Sequence, residues 1–279
     1  TRLRLWSWGD QSAPPVVLVH GAFDHGRMFD DLAPRVAAMG FHAVAVDMRG
    51  HGDSGSLWSG NAWLQMNLDL GMLARQLGSP VRFIGHSFGG GQALCAAAAF
   101  PEQVKWIVNI DGLGPPPAAF EDRDPVDATT SAFATIERVW ERGPRQYPSR
   151  EDMAARRRKI NHRMSEEWAT HLVEHGSRPG RDGGYEWKFD PLFNVGLGGP
   201  FSIDMLLAEY RFVRCPVLAI TGTEEDTWSD LSPADIEQRL AAIGDARHVE
   251  IAGAGHYVHL EQPDAVVDAI GTFIDEVEA

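Results

Sequence analysis

A serine stands between glycines in Gly85-His86-Ser87-Phe88-Gly89, after the apolar run of residues 81–84 and before an alanine-rich stretch. G-x-S-x-G between a strand and a helix describes a sharp turn that holds a hydroxyl clear of the backbone. The glycines leave room for the turn, and the helix start behind Ser87 directs amide dipoles at a developing oxyanion. A neutral hydroxyl is a poor nucleophile and needs a base. Of the 11 histidines, His256 is the best placed. It lies in Gly253-Ala254-Gly255-His256, directly after the last expected strand. Parallel topology brings that loop to the same sheet edge as Ser87. His259 is the nearest rival and is read as packing at the start of the final helix; His20 and His86 are read as supporting residues.

These residues need a scaffold, and the apolar pattern supplies one. Residues 16–19, 41–47, 81–84 and 106–110 are short runs of the kind buried on both faces of a parallel sheet. Helical patterns at 27–39, 62–77 and 88–100 separate them. The alternation predicts a mostly parallel, doubly wound α/β sheet. It breaks after Asp111, where a proline cluster (residues 115–117) opens a stretch with helical patterns near 130–142, 150–160 and 165–175 and no clear strand. Strand patterns return at 216–221 and 248–251, with helices at 233–243 and 263–278. The expected organisation is a core of residues 1–112 and 206–279 carrying a helical cap of residues 113–205.

The chain resembles serine hydrolases of the α/β-hydrolase fold. The matching stretches are residues 20–24 (HGAFD), 47–54 (DMRGHGDS), the turn around Ser87, and 255–263 (GHYVHLEQP). By this resemblance the backbone amide of Ala22 or Phe23 supplies one donor of an oxyanion hole and that of Phe88 the other. Residues 47–54 are similar to a turn that shapes the site without taking part in the chemistry. The helical segment matches the family in position only, as a lid.

A carboxylate must orient His256 and stabilise its imidazolium. In most members of the family the acid follows the strand spelled here by residues 216–221, where Glu225 holds the usual aspartate position and Asp226 comes one place late. The other candidate is Asp111, at the end of residues 108–111 and followed by Gly112, as in a subset of small esterases. A strand's C-terminal end faces the site edge, and Asp111 is preferred over the Glu225/Asp226 pair, which stays open.

Nine tryptophans are present. Trp6, Trp8 and Trp106 are read as core; Trp58, Trp63, Trp140, Trp168, Trp187 and Trp228 fall in the cap or in loops at the site edge. Phe23, Phe88, Trp140 and Tyr257, with His86 beside the nucleophile, are the expected walls of a substrate pocket suited to a hydrophobic ester or lactone. A serine at position 87 argues against the dehalogenase and epoxide-hydrolase branches, which attack through a carboxylate. Carbon–carbon bond hydrolysis, acyl transfer, perhydrolysis and a low-turnover receptor role use the same residues and stay open.

The formal net charge of −14 disfavours nucleic acid and anionic membranes as partners. The run Arg156-Arg157-Arg158-Lys159 reads as a solvated helix face. Cys95 and Cys215 have no metal-ligand spacing, and no phosphate loop or dinucleotide pattern is present, so no cofactor and no metal are expected. The N-terminal residues lack the apolar core of a signal peptide, and a soluble cytoplasmic protein is expected. The sequence leaves the oligomeric state open.

Overall fold

The computed structural model describes residues 2–56, 62–78, 80–119, 124–196, 202–228 and 231–279. Trp58 lies outside them. The strands are β1 (Arg4–Trp8), β2 (Pro15–Val19), β3 (His42–Asp47), β4 (Val81–His86), β5 (Val104–Ile110), β6 (Ser177–Pro179), β7 (Tyr185–Trp187), β8 (Val217–Gly222) and β9 (Ala246–Ile251). The helices are α1 (Leu32–Ala38), α2 (Ala62–Gln76), α3 (Phe88–Ala99), α4 (Pro125–Arg142), α5 (Arg150–Ile160), α6 (Glu166–Gly176), α7 (Phe193–Gly196), α8 (Ile203–Tyr210), α9 (Pro233–Ile243), α10 (Val258–Glu261) and α11 (Pro263–Val277).

A seven-stranded sheet has the order β1-β3-β2-β4-β5-β8-β9. Only β1 runs antiparallel to its neighbour; β2, β3, β4, β5, β8 and β9 pair in parallel. Val16 to Val19 and residues 81–86 are buried throughout, because helices cover both faces. One face packs on α1 and α11 through Val36, Val266, Ile270 and Phe273. The other packs on α2, α3 and α9 through Met66, Leu70, Leu94 and Ile243. The alanines of α3 let that helix lie close to the sheet.

Three local features differ from the sequence reading. Residues 27–39 form a 3₁₀ turn, Gly26–Phe29, followed by the short α1. Between β5 and β8, the Gly-rich stretch holds a small antiparallel ribbon, β6 with β7. Its three-residue strands are too short to show an apolar alternation, and Gly180 N–H closes the turn onto the Gly184 carbonyl at 2.7 Å. Third, α8 begins at Ile203, capped by the Ser202 hydroxyl on Met205 N–H. It buries Leu206, Leu207 and Tyr210 against the core, with the Tyr210 hydroxyl on the Leu113 carbonyl at 3.2 Å.

Candidate active site

Ser87 stands between β4 and α3 with φ +53° and ψ −125°. That conformation costs a non-glycine residue about 1–3 kcal/mol and persists only where its surroundings impose it. Here they do. A Cβ on Gly85 would stand 2.6 Å from the Gly89 carbonyl oxygen, and one on Gly89 would overlap the carbonyl oxygens of Val19 and His20. A Cβ on Gly112 would overlap the Ser87 carbonyl. The elbow is therefore wedged between β2 and the turn after β5, and glycine is needed at each close approach.

The Ser87 hydroxyl lies 2.9 Å from His256 Nε2. His256 Nδ1 lies 2.6 Å from Asp111 Oδ2. Because a carboxylate accepts, Nδ1 carries the proton and Nε2 faces Ser87 with its lone pair. Asp111 sits just past β5 with φ +46°, its N–H on the Ile220 carbonyl of β8 at 2.8 Å. The buried side chain of Asn109 fixes the turn, donating to the Gly112 carbonyl (3.1 Å) and accepting from Gly112 N–H (2.9 Å). The sequence reading overlooked Asn109; its polar side chain inside an apolar strand was the available signal.

The loop after β8 has a different task. Asp226 Oδ2 accepts the backbone N–H of His256 at 3.1 Å, and Glu225 is exposed. A Cβ on Gly255 would stand 2.7 Å from the Asp226 carboxylate, so the glycine admits it. Of the three candidate acids, the structure brings Asp111 to the ring, Asp226 to the main chain and Glu225 to neither.

The loop after β2 passes beside the nucleophile, since a Cβ on Gly21 would lie 3.3 Å from Ser87 Cβ. His20 holds its start: Nδ1–H donates to the Gly21 carbonyl (2.7 Å) and Nε2 accepts Met48 N–H (2.9 Å). Phe23 has φ +64°, and its N–H points at His51 Nε2, 3.4 Å away. Phe88 opens α3, so its N–H belongs to the first turn, where no intrahelical acceptor exists. Asp47 closes the next turn, accepting from Gly26 N–H (2.7 Å) and Asp53 N–H (2.9 Å).

Aromatic rings gather over this edge. Phe193 packs edge-on against Phe23 (5.4 Å), Phe88 (5.3 Å) and His51 (4.7 Å). Phe189 adds a contact to Phe23 (5.1 Å), and Trp63 one to Phe88 (5.5 Å). Of the expected wall residues, Phe23 and Phe88 lie in this cluster. Trp140 is 67% exposed, because α4 turns it to solvent, while Phe189 and the fully buried Phe193, from the stretch between β7 and α8, pack on Phe23. His86 is fully buried behind the site, with Nε2–H on the His256 carbonyl at 2.9 Å, so it braces the base loop and forms no wall. Tyr257 is buried too, its hydroxyl on Asp24 Oδ2 at 3.2 Å. Arg157 is another correction: it points inward from α5, bonded to Asp24 and Tyr257, while Arg156, Arg158 and Lys159 stay exposed.

Burial sets the charge state of the histidines around the site. It pushes His20 and His86 well below the usual imidazole range, His51 down to about 4 and His259 down to about 3. All four are therefore neutral at pH 7, and His259, with neither ring nitrogen on a protein partner, packs beside Phe29 and His86. Among the described residues, Asp30, His171 and His175 offer ligand atoms within 4.8 Å of one another. The Arg27 guanidinium already holds Asp30 at 2.6 Å and His171 bonds the same carboxylate at 3.1 Å, so the group reads as an ion network.

The sequence pattern of the alpha/beta hydrolase family matches residues 16–269. The chain belongs to this family. A serine hydrolase-like protein of Danio rerio is 27% identical over 98% of this chain and 85% of its own length. An esterase of Mycobacterium tuberculosis is 26% identical over 96% of this chain and 85% of its own. The solved structure of E-2-(acetamidomethylene)succinate hydrolase superposes with a TM-score of 0.77 at 26% identity, covering 98% of this chain and 95% of that one. The protein is thus a hydrolase of the serine hydrolase and esterase type. Among the described residues of this hydrolase, no helix is long and apolar enough to cross a membrane.

Proposed function

We propose that this hydrolase cleaves a hydrophobic carboxylic ester or lactone through an acyl-enzyme on Ser87. The observation that carries the reading is the hydrogen-bonded line from Asp111 through His256 to Ser87 at a strained elbow. His256 Nε2 takes the Ser87 proton as Oγ attacks the carbonyl carbon, and Asp111 stabilises the imidazolium that forms. The oxyanion is held by the amides of Phe88 and Ala22, since the Phe23 amide points at His51. The proton on His256 passes to the leaving alcohol; water, deprotonated by the same nitrogen, then releases the acid.

The partly exposed rings of Phe23, Phe88 and Phe189, backed by the buried Phe193, support an apolar acyl or alcohol group, because an unpaired charge beside those rings would lose its hydration. In this reading residues 113–205 act as a cap that supplies part of the wall. A panel of p-nitrophenyl esters from acetate to laurate, with aryl lactones, tests it by stopped-flow kinetics and mass spectrometry of the Ser87 peptide. The reading expects turnover with an acyl adduct on Ser87, absent in Ser87→Ala. No turnover of any member by folded protein would overturn it.

A further inference from the structure

Arg157 and Asp24 form an ion pair whose side chains are 8% and 1% exposed. Arg157 comes from α5, between β5 and β8, and Asp24 from the loop after β2. Burying such a pair is a poor route to stability, because desolvating two charges costs about as much as their attraction returns. Its contacts suggest another role. Arg157 Nη2 donates to the Asp24 carboxylate and, at 2.9 Å, to the Tyr257 hydroxyl, while Nη1 points at the Phe23 carbonyl, 3.5 Å away. One guanidinium therefore reaches the loop beside Ser87 and the residue that follows His256.

That loop needs holding. Phe23 is in the left-handed region, which disfavours a side chain as large as phenylalanine. Its N–H faces His51 and its carbonyl faces Arg157. One residue beyond Asp24, His25 Nε2–H donates to the Leu172 carbonyl of α6 at 2.9 Å. A Cβ on Gly176 of α6 would stand 2.8 Å from the His25 ring, so the fit is close. Three consecutive residues, Phe23, Asp24 and His25, are thus tied to helices that lie between β5 and β8. Burial pulls the Arg157 pKa down, but Asp24 and Tyr257 more than offset it and the guanidinium stays charged. Burial raises the Tyr257 phenol, which remains a neutral donor to Asp24.

We propose that Arg157 is a positioning residue: through Asp24 and Tyr257 it sets the oxyanion loop and the His256 loop against each other. The site is then complete only when α5 is docked on the core. The inference rests on the ester-hydrolase reading for its kinetic consequences, and on the loop geometry alone for its spectroscopic one.

The decisive variant is the double change Arg157→Met with Asp24→Leu, which removes the pair without leaving a lone buried charge. A pair without a positioning role predicts wild-type turnover in the folded double variant, whatever its Tm. Positioning predicts a recovered Tm with kcat for p-nitrophenyl butyrate still down on the order of 100-fold, since small misplacements of reacting groups cost that much. KM should change by less than about threefold, and a boronic acid mimicking the tetrahedral intermediate should lose affinity by the same factor as kcat. Wild-type kcat in the folded double variant would overturn the inference. If the double variant does not fold, Arg157→Lys keeps the charge but cannot span both loops. It should lower kcat without lowering Tm, and a kcat within twofold of wild type overturns the proposal. If the wild-type protein hydrolyses no ester, the catalytic reading falls separately. The amide shifts of Phe23 and Tyr257 in Arg157→Lys then decide: displaced resonances support positioning, and unchanged ones at both residues overturn it.

Discussion

The Asp226 carboxylate holds the backbone N–H of His256 at 3.1 Å, and the imidazole ring turns away from it to Asp111. Two carboxylates from the ends of adjacent parallel strands thus share one histidine, one fixing its main chain and the other its tautomer.

Separate replacements should show that division. Asp111→Asn should lower kcat by about 10⁴-fold, the scale expected when the orienting acid is neutralised and the ring can adopt the wrong tautomer. Asp226→Asn keeps an acceptor oxygen for the His256 amide and should cost no more than about tenfold. Glu225→Gln, at an exposed position, should stay within about twofold. Steady-state kinetics on one activated ester measures all three, and near-normal turnover in Asp111→Asn would reverse the assignment.

The elbow makes a prediction of opposite signs at neighbouring glycines. Gly89→Ala drives a methyl into the carbonyl oxygens of Val19 and His20, and neither backbone can retreat from the sheet. It should cost more than about 3 kcal/mol or prevent folding. Gly91→Ala meets only ordinary contacts, the nearest at 3.7 Å, inside a helix. There alanine should stabilise by roughly 0.5–1 kcal/mol. Thermal unfolding of the two variants checks the pair.

Acid should unfold the protein through its neutral histidines. The folded-state pKa values of His20, His51, His86 and His259 all lie below the unfolded value of about 6.5. Below 6.5 the unfolded chain binds more protons, so the stability these groups contribute is present above that pH and is lost as the pH falls. For His51 the loss runs down to about 4, and for His259 to about 3. Each group withdraws stability over the pH range in which only the unfolded chain takes up its proton, and the four act in the same direction. Denaturant midpoints from pH 7 to pH 4.5 should fall steeply on the acid side. His259→Leu removes one of the four and a buried ring without protein partners, so it should keep both Tm and turnover and make the acid limb shallower. A limb unchanged in slope would remove His259 from that account.

Much of this arrangement was legible because it depends on the direction of strands. Apolar runs located β2, β3, β4, β5 and β8, and parallel topology then sent Ser87, Asp111, Asp226 and His256 to one edge. What a strand end cannot specify is which side chain reaches the ring. Asp111 and Asp226 follow adjacent strands, and their division of labour depends on the Asn109 clamp and on Gly255 making room. The aromatic surroundings of the site were harder to read. Trp140 is large and lies in the helical segment, but nothing local says that α4 turns it outward. Phe193 follows a Gly-rich run with no period of its own. Arg157 carried a signal that the charge run obscured: it falls on the stripe of Met153 and Ala154, one turn on, and that stripe is the buried face of α5.

The central claim is that Ser87 is a nucleophile activated by His256. Intact-mass spectrometry after reaction with a fluorophosphonate tests it most directly. We expect one adduct per chain, mapped to Ser87, and none in folded Ser87→Ala or His256→Ala protein. Wild-type protein that stays unlabelled while folded, or an adduct mapped to another residue, would contradict the account.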